Sequence, residues 1–258
     1  MKIIFAGTPE ITIETLKSIQ ESNHEIALIL TNEDKPSGRG KKLTKPPVKI
    51  FAEVNNIEFK QPAMLKDKFL IDFLKTKEAD LFVVFAYGHL IPEEILKIFK
   101  KGALNIHTSL LPKLRGAAPI QRAIINGDKL TGLTFMKMEK GLDTGPIYRQ
   151  DHIEIDHEET SDSLEKKMSK VSSSKIVEVI DLIAENKLKL ISQNNEFATY
   201  APKISREETK INWSMKATAI ASLINGLSPS PAAYGLLNKQ RINFYLAEAV
   251  EKESLGPG

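Results

Sequence analysis

Residues 105–112 read Asn-Ile-His-Thr-Ser-Leu-Leu-Pro, and an aspartate, Asp143, follows downstream within Gly-Leu-Asp-Thr-Gly. Side chains two apart on a strand share a face. If residues 103–107 form a strand, Asn105 and His107 look out together from its carboxyl end. The amide offers N–H donors, the imidazole is a base near neutral pH, and a carboxylate can orient that base or stabilise its charge. An amine attacking an acyl carbon needs a group to take its proton, a donor for the oxygen that gains charge, and a proton for the leaving group. No hydroxyl or thiol stands between base and carboxylate, so direct transfer to an incoming nucleophile fits better than a covalent enzyme intermediate. Ser109 is the other possible nucleophile, but it precedes Leu-Leu-Pro and lacks a Gly-x-Ser-x-Gly elbow. Taken singly, His107 reads as a structural histidine and Asp143 as a turn former. Their combination points to chemistry.

Composition narrows the field. The 258 residues contain no cysteine, which removes disulfides, zinc–thiolate sites and thiol nucleophiles together. The five histidines, 24, 89, 107, 152 and 157, form no His-x-x-x-His pair, so no metal site is expected. The opening Gly7-Thr8-Pro9-Glu10 turn carries one glycine where a dinucleotide fingerprint needs three, which disfavours a nicotinamide-dependent oxidoreductase. No run approaches the ~18 apolar residues of a membrane span, and the N-terminus holds no signal-peptide apolar region. A monomer in the cytoplasm, with no membrane partner, is the expectation. The net charge of +3 is mild, but residues 32–49, NEDKPSGRGKKLTKPPVK, concentrate positive charge among prolines and glycines. This segment reads as a long, cationic, exposed loop that forms neither a regular helix nor a strand.

Elements must position these residues. The short apolar runs 2–6, 25–30, 80–86 and 103–107 read as buried strands. Helical spacing covers 10–22, 66–77 and 92–100, with Pro92 suited to a first helical turn. Such alternation predicts an α/β fold, a Rossmann-like, mostly parallel sheet with helices on both faces. Beyond it, 117–127 reads as a helix stopped by Gly127, 131–138 and 146–155 as strands around the 139–143 turn, and 160–187 as a long helix. Leu164, Met168, Val171, Ile176, Val179, Ile180 and Ile183 line one side of that helix. The expected organisation is a catalytic domain over 1–189, a connector over 190–205, and a smaller domain from 206. In that last region a short helix is expected after Ile211-Asn212-Trp213-Ser214, a turn over 225–231, and a strand over 241–246. In open parallel sheets ligands bind beyond the carboxyl strand ends, which singles out 7–10, 87–89, 105–116 and 139–145.

The block NIHTSLLPKLRGAAPIQRAI followed by GLDTG resembles the folate-dependent formyltransferases. Further similarity lies in Phe5-Ala6-Gly7-Thr8-Pro9-Glu10, in the 34–43 loop, in Arg115-Gly116-Ala117-Ala118-Pro119-Ile120-Gln121, and in Ile211-Asn212-Trp213-Ser214. Among that family's branches, these segments are most similar to the one acting on initiator methionyl-tRNA. The resemblance implies N10-formyltetrahydrofolate as formyl donor, no metal, and catalytic roles for Asn105, His107 and Asp143. It places Ser109, Leu110, Leu111 and Pro112 at the folate. By position, Phe85, Tyr87, Gly88, Leu90, Ile91 and Gly141 would enclose the pterin. Arg39, Lys41 and Lys42 would meet the tRNA acceptor end. It also implies a small C-terminal OB-like β-barrel, truncated here because only residues 206–258 remain for it. Rival readings are the same chemistry on a small amine such as glycinamide ribonucleotide or an amino sugar, hydrolysis of the formyl donor, and an RNA-binding protein without catalysis.

Overall fold

The computed structural model describes residues 1–37, 40 and 42–250. The chain divides into two compact units. The first holds Met1–His107, Leu133–Asp151 and Ser169–Asn194; the second holds Thr108–Gly132, His152–Met168 and the chain from Asn195.

In the first unit, strand β1 (Lys2–Gly7) leads through helix α1 (Ile13–Gln20) to β2 (Glu25–Leu30). A short ribbon, β3 (Lys35–Ser37) and β4 (Lys42–Thr44), precedes α2 (Pro47–Val54) and β5 (Phe59–Lys60). Then come α3 (Lys68–Thr76), β6 (Leu81–Phe85), α4 (Glu93–Leu96) and β7 (Ala103–His107). In the second unit lie β8 (Arg115–Gly116) and α5 (Pro119–Ile125). The chain continues through β9 (Leu130–Lys137), β10 (Ile147–Glu154) and α6 (Ser161–Ala184). It closes with β11 (Tyr200–Ala201), α7 (Ala217–Gly226), β12 (Ala233–Leu237) and β13 (Gln240–Phe244).

The main sheet has the order β10-β9-β7-β6-β1-β2-β5. Strands β5, β2, β1, β6 and β7 run parallel, whereas β9 is antiparallel to β7. Every residue of β6, Leu-Phe-Val-Val-Phe, is buried, as a strand covered on both faces requires. Alternation along the strands separates two cores. Ile4, Leu28, Phe82 and Val84 face Leu70, Leu74, Ile95 and Phe99 from the α3 and α4 side. On α6, Ser172 meets Thr15 of α1 at 2.7 Å and Ser169 donates to the Ile11 carbonyl at 2.9 Å, so buried hydroxyls pair where the two helices approach. Val171, expected on the apolar side of α6, is only half-buried, and Ser172 takes the interior position. Among the described residues, no helix is long and apolar enough to cross a membrane.

Several expectations need correction. The 32–49 segment is not irregular throughout. Lys35, Pro36 and Ser37 pair with Thr44, Leu43 and Lys42, because a two-stranded ribbon is all edge and tolerates a proline. Pro46 and Pro47 start α2, where a missing N–H costs nothing. The 92–100 helix is confined to α4, with Pro92 in an extended conformation at its N-cap. The 117–127 helix starts only at Pro119, since the Ala117 and Ala118 N–H groups donate to the Ala201 carbonyl. Gly127, at φ +74°, does follow the helix end.

In the second unit β8 pairs with β11, a strand inside the 190–205 segment expected as a connector. Gly116 is required there, because a Cβ would stand 2.9 Å from the Ala201 carbonyl oxygen. Ile211, Ile224, Leu227 and Ala233 form a small core with Ile125, Leu223 and Phe244. Strands β12 and β13 make an antiparallel hairpin closed by Asn238 and Lys239, both with positive φ as a two-residue hairpin loop demands. Trp213 packs edge-on against Phe244 at 5.6 Å. The C-terminal domain expected as an OB-like barrel shows antiparallel strands in this hairpin, which with α7 and a short 3-10 turn over Glu207–Thr209 makes up its regular elements among the described residues.

Two stability predictions follow from this packing. Phe82 is fully buried and stacks on Phe99 at 5.1 Å, so Phe82→Ala should cost about 3–5 kcal/mol, read as a lower urea midpoint. Arg122 donates to both carboxylate oxygens of Glu208, at 2.5 and 3.1 Å. This pairing, helped by the Ser205 N–H, holds the Glu208 carboxyl down to about 2. A lowered carboxyl contributes stability above its ordinary pKa and loses it as pH falls toward the folded value. Because Glu208 is 39% exposed, its contribution is about 1 kcal/mol or less. In Glu208→Gln, the gap between urea midpoints at neutral pH and at pH ~3 should narrow accordingly.

Candidate active site

Strand β7 delivers Asn105 and His107 on one face at the end of a parallel strand, as its alternation requires. His107 is 6% exposed. Its neighbour β9 runs the opposite way, with Thr134 opposite His107 and Lys137 opposite Leu104. The chain therefore leaves β9 beside the start of β7, and the 138–146 turn has to fold back to bring Asp143 to the pair. Its base is closed by Met138 N–H to the Ala103 carbonyl at 2.8 Å and Lys137 N–H to the Pro146 carbonyl at 2.9 Å.

Asp143 arrives with one carboxylate oxygen 3.6 Å from His107 Nδ1 and the other 3.4 Å from Asn105 Nδ2. These are ion-pair and long hydrogen-bond distances, loose in the way catalytic contacts often are before a substrate tightens them. Asp143 sits at φ +52°, a left-handed conformation that aspartate tolerates better than most residues. Gly145 is the turn's tightest point, since a Cβ there would overlap the Lys137 carbonyl oxygen. Gly141 has φ +135°, and a Cβ on it would overlap the Thr144 hydroxyl. Both positions exclude side chains.

The remaining expected residues fall into several kinds. Phe85, Tyr87 and Ile91 are buried, Tyr87 and Ile91 within the core on the α3 and α4 side. The Tyr87 hydroxyl is buried without a hydrogen-bond partner among the described residues, and burial pushes it up to about 12. Gly88 lies at φ +80° and Leu90 is 78% exposed. Asn32 ties this segment down, donating to the Tyr87 carbonyl at 3.2 Å and meeting His89 Nε2 at 2.6 Å. In the second unit Ser109 is buried and donates to the Lys113 carbonyl at 2.6 Å. That bond closes a loop on itself across the half-buried Leu110, the buried Leu111 and a cis Leu111–Pro112 peptide. Lys42 is exposed on β4, whereas Arg39 and Lys41 lie outside the described residues. Among the described residues, no group of three or more His, Asp or Glu side chains is placed to hold a metal ion.

Sequence reasoning missed one residue that the fold brings to this site. Gln193 donates to the Asp143 carbonyl at 2.8 Å and the Gly145 carbonyl at 2.7 Å. Leu142, within the 139–145 turn already expected at the site, is 54% exposed. Nothing local marks Gln193, which stands in a polar stretch 50 residues from its partner; only the antiparallel bridge of Ile191 to Ile147 places it there.

The family model described as formyl transferase matches residues 1–180, and that of the formyl transferase C-terminal domain matches 203–258. The chain is 42% identical over 249 residues to a methionyl-tRNA formyltransferase of Thermodesulfovibrio yellowstonii, covering 96% of this chain and 80% of that protein. It is 43% identical over 252 residues to one of Pelagibacter ubique, covering 97% and 81%. The crystal structure of WlaRD, a sugar 3N-formyl transferase in the presence of dTDP and 5-N-formyl-THF, superposes with a TM-score of 0.70. That likeness has 25% identity and covers 94% of this chain and 84% of the other. The fold is likewise that of a methionyl-tRNA formyltransferase from Clostridium thermocellum, with TM-score 0.66, 21% identity and coverages of 97% and 94%. The chain with its Asn105, His107 and Asp143 belongs to the formyl transferase family.

Proposed function

We propose that this chain transfers the formyl group of N10-formyltetrahydrofolate to the α-amino group of methionine on initiator methionyl-tRNA. The observation that carries the reading is the gathering of Asn105, His107 and Asp143 within 3.4 and 3.6 Å. It occurs in a chain 42% identical, over nearly its whole length, to a protein of that name. The folate supplies an acyl carbon at the formyl oxidation level. The chain supplies the rest. Neutral His107 takes the proton of the attacking amine, Asn105 donates to the oxygen that gains charge, and Asp143 orients the imidazole and stabilises its protonated form. Returning that proton to the departing nitrogen restores neutral His107, so the site needs no covalent intermediate.

The residues of the first unit fit a planar ring with polar edges. Ala86 and Gly88, both with positive φ, open main-chain groups just past β6, and the exposed Leu90 and Leu142 offer apolar contact. Folate contacts here are assigned by position to Phe85, Tyr87, Gly88, Leu90, Ile91 and Gly141. Ser109, Leu110, Leu111 and Pro112 are assigned to the same ligand through the motif they share with the family. Lys42, with Arg39 and Lys41 of the same cationic segment, is assigned to tRNA phosphates. The chain acts as a monomer in the cytoplasm.

His107→Ala should lower formyl-methionine formation on initiator tRNA by at least ~100-fold while leaving folate binding in place, measured by single-turnover transfer and by titration of the folate. Transfer within a few-fold of the parent would remove the mechanism. Formylation of an amino sugar with none of the tRNA would replace the acceptor. Lys42→Ala should flatten the plot of log affinity against log salt by about one phosphate contact, and an unchanged slope would take Lys42 out of the tRNA contact.

A further inference from the structure

We propose that Gln193 is a positioning residue for this reaction, its amide holding the 138–146 turn folded back so that Asp143 stays against Asn105 and His107. The inference rests on the formyl-transfer reading of that site. Its physical basis is a problem of reach. From Leu104, opposite the end of β9, to His107 the strand advances about 10 Å. A turn anchored only at its base would leave its tip to choose among many conformations.

Gln193 removes that choice. A primary amide carries two N–H donors on one nitrogen, and here that nitrogen lies 2.8 Å from the Asp143 carbonyl and 2.7 Å from the Gly145 carbonyl. Two carbonyl partners also fix which end of the amide is nitrogen, because an oxygen there would face two acceptors. The two bonds straddle Thr144, so the backbone on either side of it is held by one group. The donor is itself anchored. Ile191, two residues earlier, exchanges both backbone hydrogen bonds with Ile147 at the start of β10, at 2.8 and 2.9 Å. A strand edge thus supports the amide, the amide supports the turn, and the turn presents the carboxylate. Since a misplacement of about 1 Å can cost about 100-fold in rate, the clamp belongs to the reaction as well as to the fold.

Gln193→Leu keeps the side chain's bulk and removes both donors. In the intact chain, kcat should fall roughly 10- to 100-fold, with KM for the tRNA within ~3-fold and any rise in KM for the folate, which touches the same turn, smaller than the loss in kcat. The NMR signals of the His107 ring should move, and the melting midpoint should change by only a few degrees. Combined with Asp143→Asn, the double variant should be no slower than Asp143→Asn alone, because both act through one carboxylate. An unchanged kcat, a loss that tracks the unfolded fraction, or a rate penalty that multiplies with Asp143→Asn would overturn the proposal. If Gln193→Leu does not fold, Gln193→Asn, which draws the amide back by one methylene, carries the same readouts and the same criteria. A parent chain that transfers no formyl group, or that ignores His107→Ala, would sink the formyl-transfer reading. The His107 ring signals report on Gln193 without any turnover, so the two failures are told apart.

Discussion

The site depends on holding a carboxylate borne by a turn against two side chains borne by a buried strand. Strand β7 solves its half of the problem by being unable to move, since it is paired on both sides and buried along most of its length. Its register sets the face on which Asn105 and His107 stand. The other half falls to the 138–146 turn, which must travel back along the strand it has just passed. The antiparallel direction of β9 creates this demand. A parallel neighbour would have ended at the site and needed no returning turn.

Strain and space are spent where that turn bends. Asp143 takes a left-handed backbone, Gly141 an angle that few other residues adopt, and Gly145 a place with no room for a Cβ. The Gly-Leu-Asp-Thr-Gly pattern can thus be read from physics alone. Each glycine marks a point where a side chain would collide, and the aspartate between them combines a tolerated left-handed conformation with the charge the imidazole requires.

The fold was legible where burial is two-sided. Strands β1, β2, β6 and β7 are short runs of Ile, Val, Leu and Phe that water would penalise anywhere but a covered sheet, and their bounds could be read within a residue or two. Helix α2, the β3–β4 ribbon and β12 were not legible. Prolines 36, 46 and 47 carry the signature of irregular chain, and only the edge position of the ribbon and the opening position in α2 make them harmless. Strand β11 is two residues in a polar stretch, too short for any period, and exists because Arg115 and Gly116 are there to pair with it.

By itself the sequence determined the chemistry on offer: an amide and an imidazole spaced for one strand face, a carboxylate between glycines, and no thiol or paired histidines to support another mechanism. Spacing along one strand is a local property, and local properties survive without a tertiary structure. Tertiary structure alone decided that Asp143 meets that pair, at 3.4 and 3.6 Å, and that Gln193 holds it there. Those contacts join residues 38 and 50 positions apart. The direction of β9 and the bridge between Ile147 and Ile191 create them, and strand direction and register are settled only when the whole sheet packs.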